Sequence, residues 1–275
     1  MLHWGVAFAA VGCRKDAKMR SLVHFESTME DLVCFVEGTE PEDVVDATYV
    51  KLNEGVSPAA LLEAAALAVS RSTDLPQSHH GGPIHPVSGL YAIERLAKRN
   101  SGAEAFLPVI QIVALANKHI QSPDMGSTAM AEIETSDLEK LDKEDLLSGF
   151  SAAMAKRIAP AAERHLAVLL KVAMPGEIME AMLQIAIPRN ALDDHYFLYT
   201  VYAFRALDTV GWEHAEVILR PPVRFLCRHP MLEHGEGERG RIISDGITLY
   251  RNFSDLDDLI RDHLLLEKVN SILFL

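Results

Sequence analysis

The sequence predicts an all-α fold, a multi-helix bundle built from two similar helical repeats, on three observations. Apolar residues recur at the three- and four-residue spacing of a helix face through most of the chain. Alternating β-branched runs are scarce, with residues 241–243 and 247–249 the only short candidates for strands. Two stretches of helical sequence also resemble each other.

Each helix follows from its stripe. Leu61, Leu62, Ala65, Ala66 and Val69 form the first clear one, and Phe106, Val109, Ile110, Val113 and Ala116 the next. Leu166, Leu169, Leu170 and Ala173 repeat the spacing, followed by Ile178, Met179, Met182, Leu183 and Ala186. Leu198, Val201, Tyr202 and Ala206, then Ala215, Val217, Ile218 and Leu219, complete the set. Between them, Ser136 and Glu139 have the spacing of a capping box, in which hydroxyl and carboxylate satisfy orphan N–H groups reciprocally. Pro160 and Pro175 suit first turns, where a missing N–H costs nothing, and Gly211 suits a helix end. Pro86 marks a helix start with His85 at its cap, and Ser254 opens a last helix. A helix carrying His214 is expected to end near Arg220, Pro221 and Pro222. Segment 37–46 reads as an acidic, solvated turn with a helix start, and 121–135 and 233–246 read as surface connections. Together these make about eight to ten helices.

Residues 58–64 align with 175–181, and 91–96 with 202–207. In each unit a loop ends in a histidine, His85 in the first and His195 in the second. The expectation is one domain over 1–275 containing repeats at 58–120 and 175–228, related by a pseudo-two-fold that brings equivalent helices together.

Composition narrows function by exclusion. The chain has 275 residues, 49 % of them hydrophobic and 24 % charged, which is the profile of a folded protein. Its 39 acidic and 26 basic side chains leave a formal charge of -13, which repels phosphate and argues against nucleic acid and anionic membranes as partners. Cys13, Cys34 and Cys227 are far apart and odd in number, which fits a reducing cytoplasm and not a disulfide framework or zinc knuckle. Residues 10–13 loosely imitate a lipoprotein cleavage site, but no Lys or Arg precedes the apolar run 4–11, as a signal peptide requires. No run approaches the ~18–20 apolar residues that span a bilayer. These features predict a cytoplasmic protein. Dinucleotide, P-loop and nucleophile-elbow motifs are missing from the sequence.

The histidines carry what chemistry remains. His85 and His195 both fall at helix starts, where the partial positive charge disfavours imidazolium, although Asp193 and Asp194 pull the other way at His195. Neutral imidazole binds metals and accepts protons. Glu63 and Glu180, one per repeat, would complete a metal set of Glu63, His85, Glu180 and His195, related to those that hold iron or manganese in helical bundles. The spacing lacks the Glu-x-x-His pairs of di-iron bundles, and helix capping explains the same residues without a metal. His79 and His80 make 78–85 the densest histidine cluster, readable as pocket wall or as polar loop. His214 is the remaining candidate, and His119 reads as a favourable charge in a last helical turn.

Residues 84–87, 194–197, 202–207 and 211–220 together resemble an uncharacterised bacterial all-α family, whose members stand alone or are joined to a Rieske iron–sulfur domain. Residues 212–220 are the most specific part of the resemblance. The His-Pro and Asp-Asp-His elements are also similar to those of questin-oxidase-like proteins, which are helical and associated with oxygenation. This chain carries no Rieske ligand pattern of its own. The resemblance implies a redox association and points to His85, His195 and His214 as matching positions.

Two functional expectations follow. The first is a metal-dependent oxygenase or oxidoreductase acting on a small molecule, with His85, His195 and His214 catalytic. The second is a non-catalytic helical scaffold whose repeats bind a protein partner or a second copy, for which the apolar end 272–275 would serve.

Overall fold

Each apolar stripe within the described residues becomes a helix. The computed structural model describes residues 22–73, 82–123, 129–190 and 195–228. They contain ten α-helices: α1 (Ser27–Gly38), α2 (Val44–Asn53), α3 (Pro58–Ser72), α4 (Ile84–Arg99), α5 (Phe106–Gln121), α6 (Lys143–Ala155), α7 (Ala159–Val172), α8 (Pro175–Arg189), α9 (His195–Val210) and α10 (Ala215–Leu226). Among the described residues no strand forms, and Leu22 and Ala131 pair in an isolated antiparallel bridge. The all-α class therefore holds. The apolar run 4–11, the strand candidates 241–243 and 247–249, connection 233–246, Ser254 and the end 272–275 lie outside the described residues. So do Cys13, His79, His80, Asp193 and Asp194.

Helix starts follow local chemistry. Glu26 accepts the Thr28 and Met29 N–H groups to open α1, and Ser57 Oγ accepts the Ala60 N–H just ahead of Pro58 in α3. Pro160 and Pro175 both occupy first turns, and Glu177 reaches back to the Met174 N–H of α8. Gly211, at φ 100°, ends α9 in the left-handed region that a side chain rarely adopts.

Three boundaries differ from expectation. Ser136 opens a turn instead of a helix; α6 starts at Lys143, capped by Asp142, whose carboxylate accepts the Asp145 N–H at 2.8 Å. Glu139 is drawn to Lys171 and Thr135 rather than closing a capping box. α10 does not stop at Arg220 but runs through Pro221 and Pro222 to Leu226. Burial of Val217, Ile218, Leu219, Val223 and Phe225 along one helix outweighs the backbone hydrogen bonds those prolines forgo. α4 likewise begins at Ile84, so His85 lies inside its first turn and Pro86 is the third helical residue.

A single buried apolar cluster extends from Met29 to Cys227. α3 lies deepest, with residues 64–71 all buried. Its neighbours include α1, α4, α5, α9 and α10. α4 packs along α9, and because their first turns adjoin, the two helices run in the same direction.

Two buried arginines tie the helices together. Arg71 in α3 donates to Glu30 at 2.8 Å and to Glu37 at 2.7 Å, both from α1, and to the carbonyl of Val23. Burial opposes the Arg71 charge, but Glu37 and Glu30 outweigh it and push its pKa up. Glu37, expected in a solvated turn, is instead the second half of this buried pair. Arg220 in α10 donates to Glu163 of α7 at 2.8 Å and to the carbonyl of Ala131, and Arg224 joins the same carboxylate.

Candidate functional site

His85 and His195 meet. Each occupies the first turn of its helix, and the α4–α9 packing sets their ring centroids 5.7 Å apart in an edge-to-face arrangement at 68°. Two parallel helices of 16 residues, each with a histidine at its head, bring the rings together once their first turns are level. Tyr91 lies six residues beyond His85 and Arg205 ten beyond His195, and the Arg205 guanidinium sits 5.1 Å from the Tyr91 ring centre.

The other expected residues lie elsewhere. α9 spans about 24 Å at 1.5 Å per residue, so His214, beyond its far end, is remote from His195. His214 instead faces Glu63 of α3 at 3.9 Å and stacks edge-on against Phe25, with ring centroids 5.1 Å apart. Burial raises the Glu63 carboxyl above its ordinary range, and the nearby Glu213 and Glu26 carboxylates add to the shift. Glu180 is exposed on α8, beside an apolar groove of about 450 Å³ lined by Gly176, Met179, Leu183 and Ile187. The expected set of four thus divides into a His85–His195 pair, a Glu63–His214 pair and a separate Glu180. Among the described residues no group of three or more His, Cys, Asp or Glu side chains is arranged to hold a metal ion. Glu63 is engaged with His214 at the start of α10, and Glu180 lies at the α8 groove.

Other reactive groups are silent. Burial pushes the Cys227 thiol up to about 11, so it stays protonated and is no nucleophile at neutral pH. Tyr199 is fully buried one turn beyond His195, and burial pushes its phenol well above the usual range. Its hydroxyl has no hydrogen-bond partner.

Sequence reasoning did not find the tyrosine–arginine cluster next to the histidine pair. Arg95 donates to the Tyr91 hydroxyl at 2.6 Å, and Arg205 also lies 5.8 Å from the Tyr202 ring centre. The alignment of 91–96 with 202–207 pairs Tyr91 with Tyr202 but sets Arg95 against Ala206 and Arg205 against Glu94, so the signal for the arginines lies in their spacing from the histidines. Each histidine is followed ten residues later by an arginine, His85 by Arg95 and His195 by Arg205.

Among the described residues no helix is long and apolar enough to cross a membrane. No protein-family model, no curated protein and no solved structure matches the chain.

Proposed function

We propose that the chain is a redox-associated enzyme, an oxygenase or oxidoreductase, in which His85 and His195 hold one iron or manganese ion at the joined heads of α4 and α9. The observation that supports this is the separation of the two rings. With metal–nitrogen bonds of about 2.0–2.1 Å, two imidazoles on one ion place their ring centres about 5–6 Å apart, and the rings stand at 5.7 Å. Imidazole suits iron among the first-row metals. Glu63 and Glu180 take no part in this reading, since neither joins the pair.

Such an ion would supply the redox chemistry. The chain's own contribution is to fix two nitrogen donors on rigid helices, which holds geometry better than a loop does. Tyr91, Tyr202, Arg95 and Arg205, further along the same two helices, give the site a polar flank on which a small molecule could be oriented.

The test is elemental analysis of untagged protein, with titration by Fe²⁺ and Mn²⁺. Near-stoichiometric metal, lost in His195→Ala and in His85→Ala without loss of helical signal, supports the reading. Metal-free protein that takes up neither ion removes it.

A further inference from the structure

We propose that the seam between α4 and α9 binds an elongated organic carboxylate, its acid group on Arg95 and Arg205 and its far end at His85 and His195. This names a substrate class for the site above and so rests on that reading for its reaction, though not for its binding.

The first support is how the arginines are partnered. Arg71, Arg164, Arg220 and Arg224 each meet a carboxylate, and Arg157 and Arg189 each donate to a backbone carbonyl. Arg95 and Arg205 form no ion pair among the described residues; both converge on the Tyr91 ring, at 4.9 and 5.1 Å. The nearest acid in sequence, Glu94, is engaged by Lys98 at 2.6 Å. Acidic residues outnumber basic ones by 39 to 26, so carboxylates are plentiful, yet these two cations share one phenol ring. Two guanidiniums gathered on one ring repel each other, and an anion between them relieves that repulsion. The planar guanidinium fork matches a carboxylate, and the Tyr91 and Tyr202 rings offer flat apolar surface beside it.

The second support is direction and length. Side chains on a helix lean toward its N-terminus, so arginines at matching positions of two parallel helices lean back toward the histidines. Tyr91, where the guanidiniums gather, lies six residues from His85, or about 9 Å along the helix. Half-buried Ser88 and exposed Leu198 occupy the turn between. A molecule about two rings long would span from the arginine pair to the histidine pair.

Calorimetric titration of the full chain, stripped of metal with EDTA, tests the anchor without the ion. Biphenyl-4-carboxylate serves as the probe, with biphenyl-4-methanol, benzoate and inorganic phosphate for comparison. The expected result is that the carboxylate binds at least tenfold more tightly than the alcohol and more tightly than benzoate. Arg95→Ala/Arg205→Ala should lose at least tenfold, and the exposed Arg95→Ala alone a smaller part, with unchanged circular dichroism. Equal affinity for acid and alcohol, full affinity in the double variant, or no binding of the probe overturns the proposal. Displacement of the probe by equimolar phosphate overturns the carboxylate assignment. Carboxylate binding by a chain that takes up no metal leaves this inference standing and removes the metal reading; metal uptake without carboxylate binding does the reverse.

Discussion

Arg71 and Arg220, on helices far apart in sequence, hold the two sides of one backbone bridge. Arg71 donates to the carbonyl of Val23 and Arg220 to that of Ala131, next to or within the Leu22–Ala131 pair. Between them the Val23 N–H donates to Met130 and the Met130 N–H to Arg71. Each guanidinium is buried and each is neutralised by glutamate, Arg71 by Glu30 and Glu37 and Arg220 by Glu163.

Removing one acid therefore leaves a buried charge without its partner. In Glu163→Ala, Arg220 retains the Ala131 carbonyl and one carboxylate, Glu216, at 3.5 Å and more exposed. The expected loss is about 3–5 kcal/mol, the usual cost of breaking a buried pair from one side. Urea unfolding measures it as a fall in midpoint at constant slope. A loss below about 1 kcal/mol, within the range of exposed ion pairs, would show that the pair is solvated.

Helix periodicity made the fold legible, because burial of one face dominates helix placement and writes itself into the spacing of Leu, Val and Ala. The stripes at 61–69 and 106–116 became buried faces of α3 and α5. What did not show was any interaction between distant polar residues. Arg71 follows the buried run 64–70 at the C-terminal end of α3, and nothing local reveals that Glu30 and Glu37 will reach it. The pairing of His85 with His195 could be read because both were expected at helix heads and in equivalent positions. Glu63 and Glu180 were also equivalent in the alignment, but facing direction within a bundle depends on crossing geometry that no local spacing records.

Glu63 should make stability depend on pH with a sign opposite to that of Glu30. Burial opposes the Glu30 charge, but the Phe25 N–H and Arg71 outweigh it and lower its pKa, so its contribution is present above about pH 4.5 and is lost as pH falls. The folded pKa of Glu63 lies above the ordinary carboxyl value of 4.5, so the native state holds that proton more tightly than the unfolded chain does. Stability from Glu63 is thus present at low pH and lost as pH rises from about 4.5 through the folded value. The His214 imidazole offsets the penalty only when protonated. Glu63→Gln should accordingly gain stability relative to the parent at pH 8 and show little gain at pH 4. Urea unfolding of both proteins at the two pH values decides it; a difference that does not change with pH means Glu63 titrates as a solvated carboxyl.

Gly149→Ala sets two effects of known size against each other. Gly149 lies in the interior of α6, where alanine would be favoured by about 1 kcal/mol through backbone entropy alone. A methyl group there overlaps the imidazole of His165, reaching Nε2 first, and that ring is held by its Nδ1 contact with the Ala161 carbonyl at 2.8 Å. Turning the ring away breaks the contact, and forcing it aside costs roughly 1–3 kcal/mol as overpacking. The clash should win, so Gly149→Ala destabilises the protein in the parent background. With His165→Ala the obstacle is gone, and the same substitution should then stabilise by about 1 kcal/mol. The double-mutant cycle reads the reversal directly, since the two residues touch and their effects cannot add. If Gly149→Ala stabilises the parent protein, the imidazole is not held against α6 and the packing of α6 on α7 is looser than the contact implies.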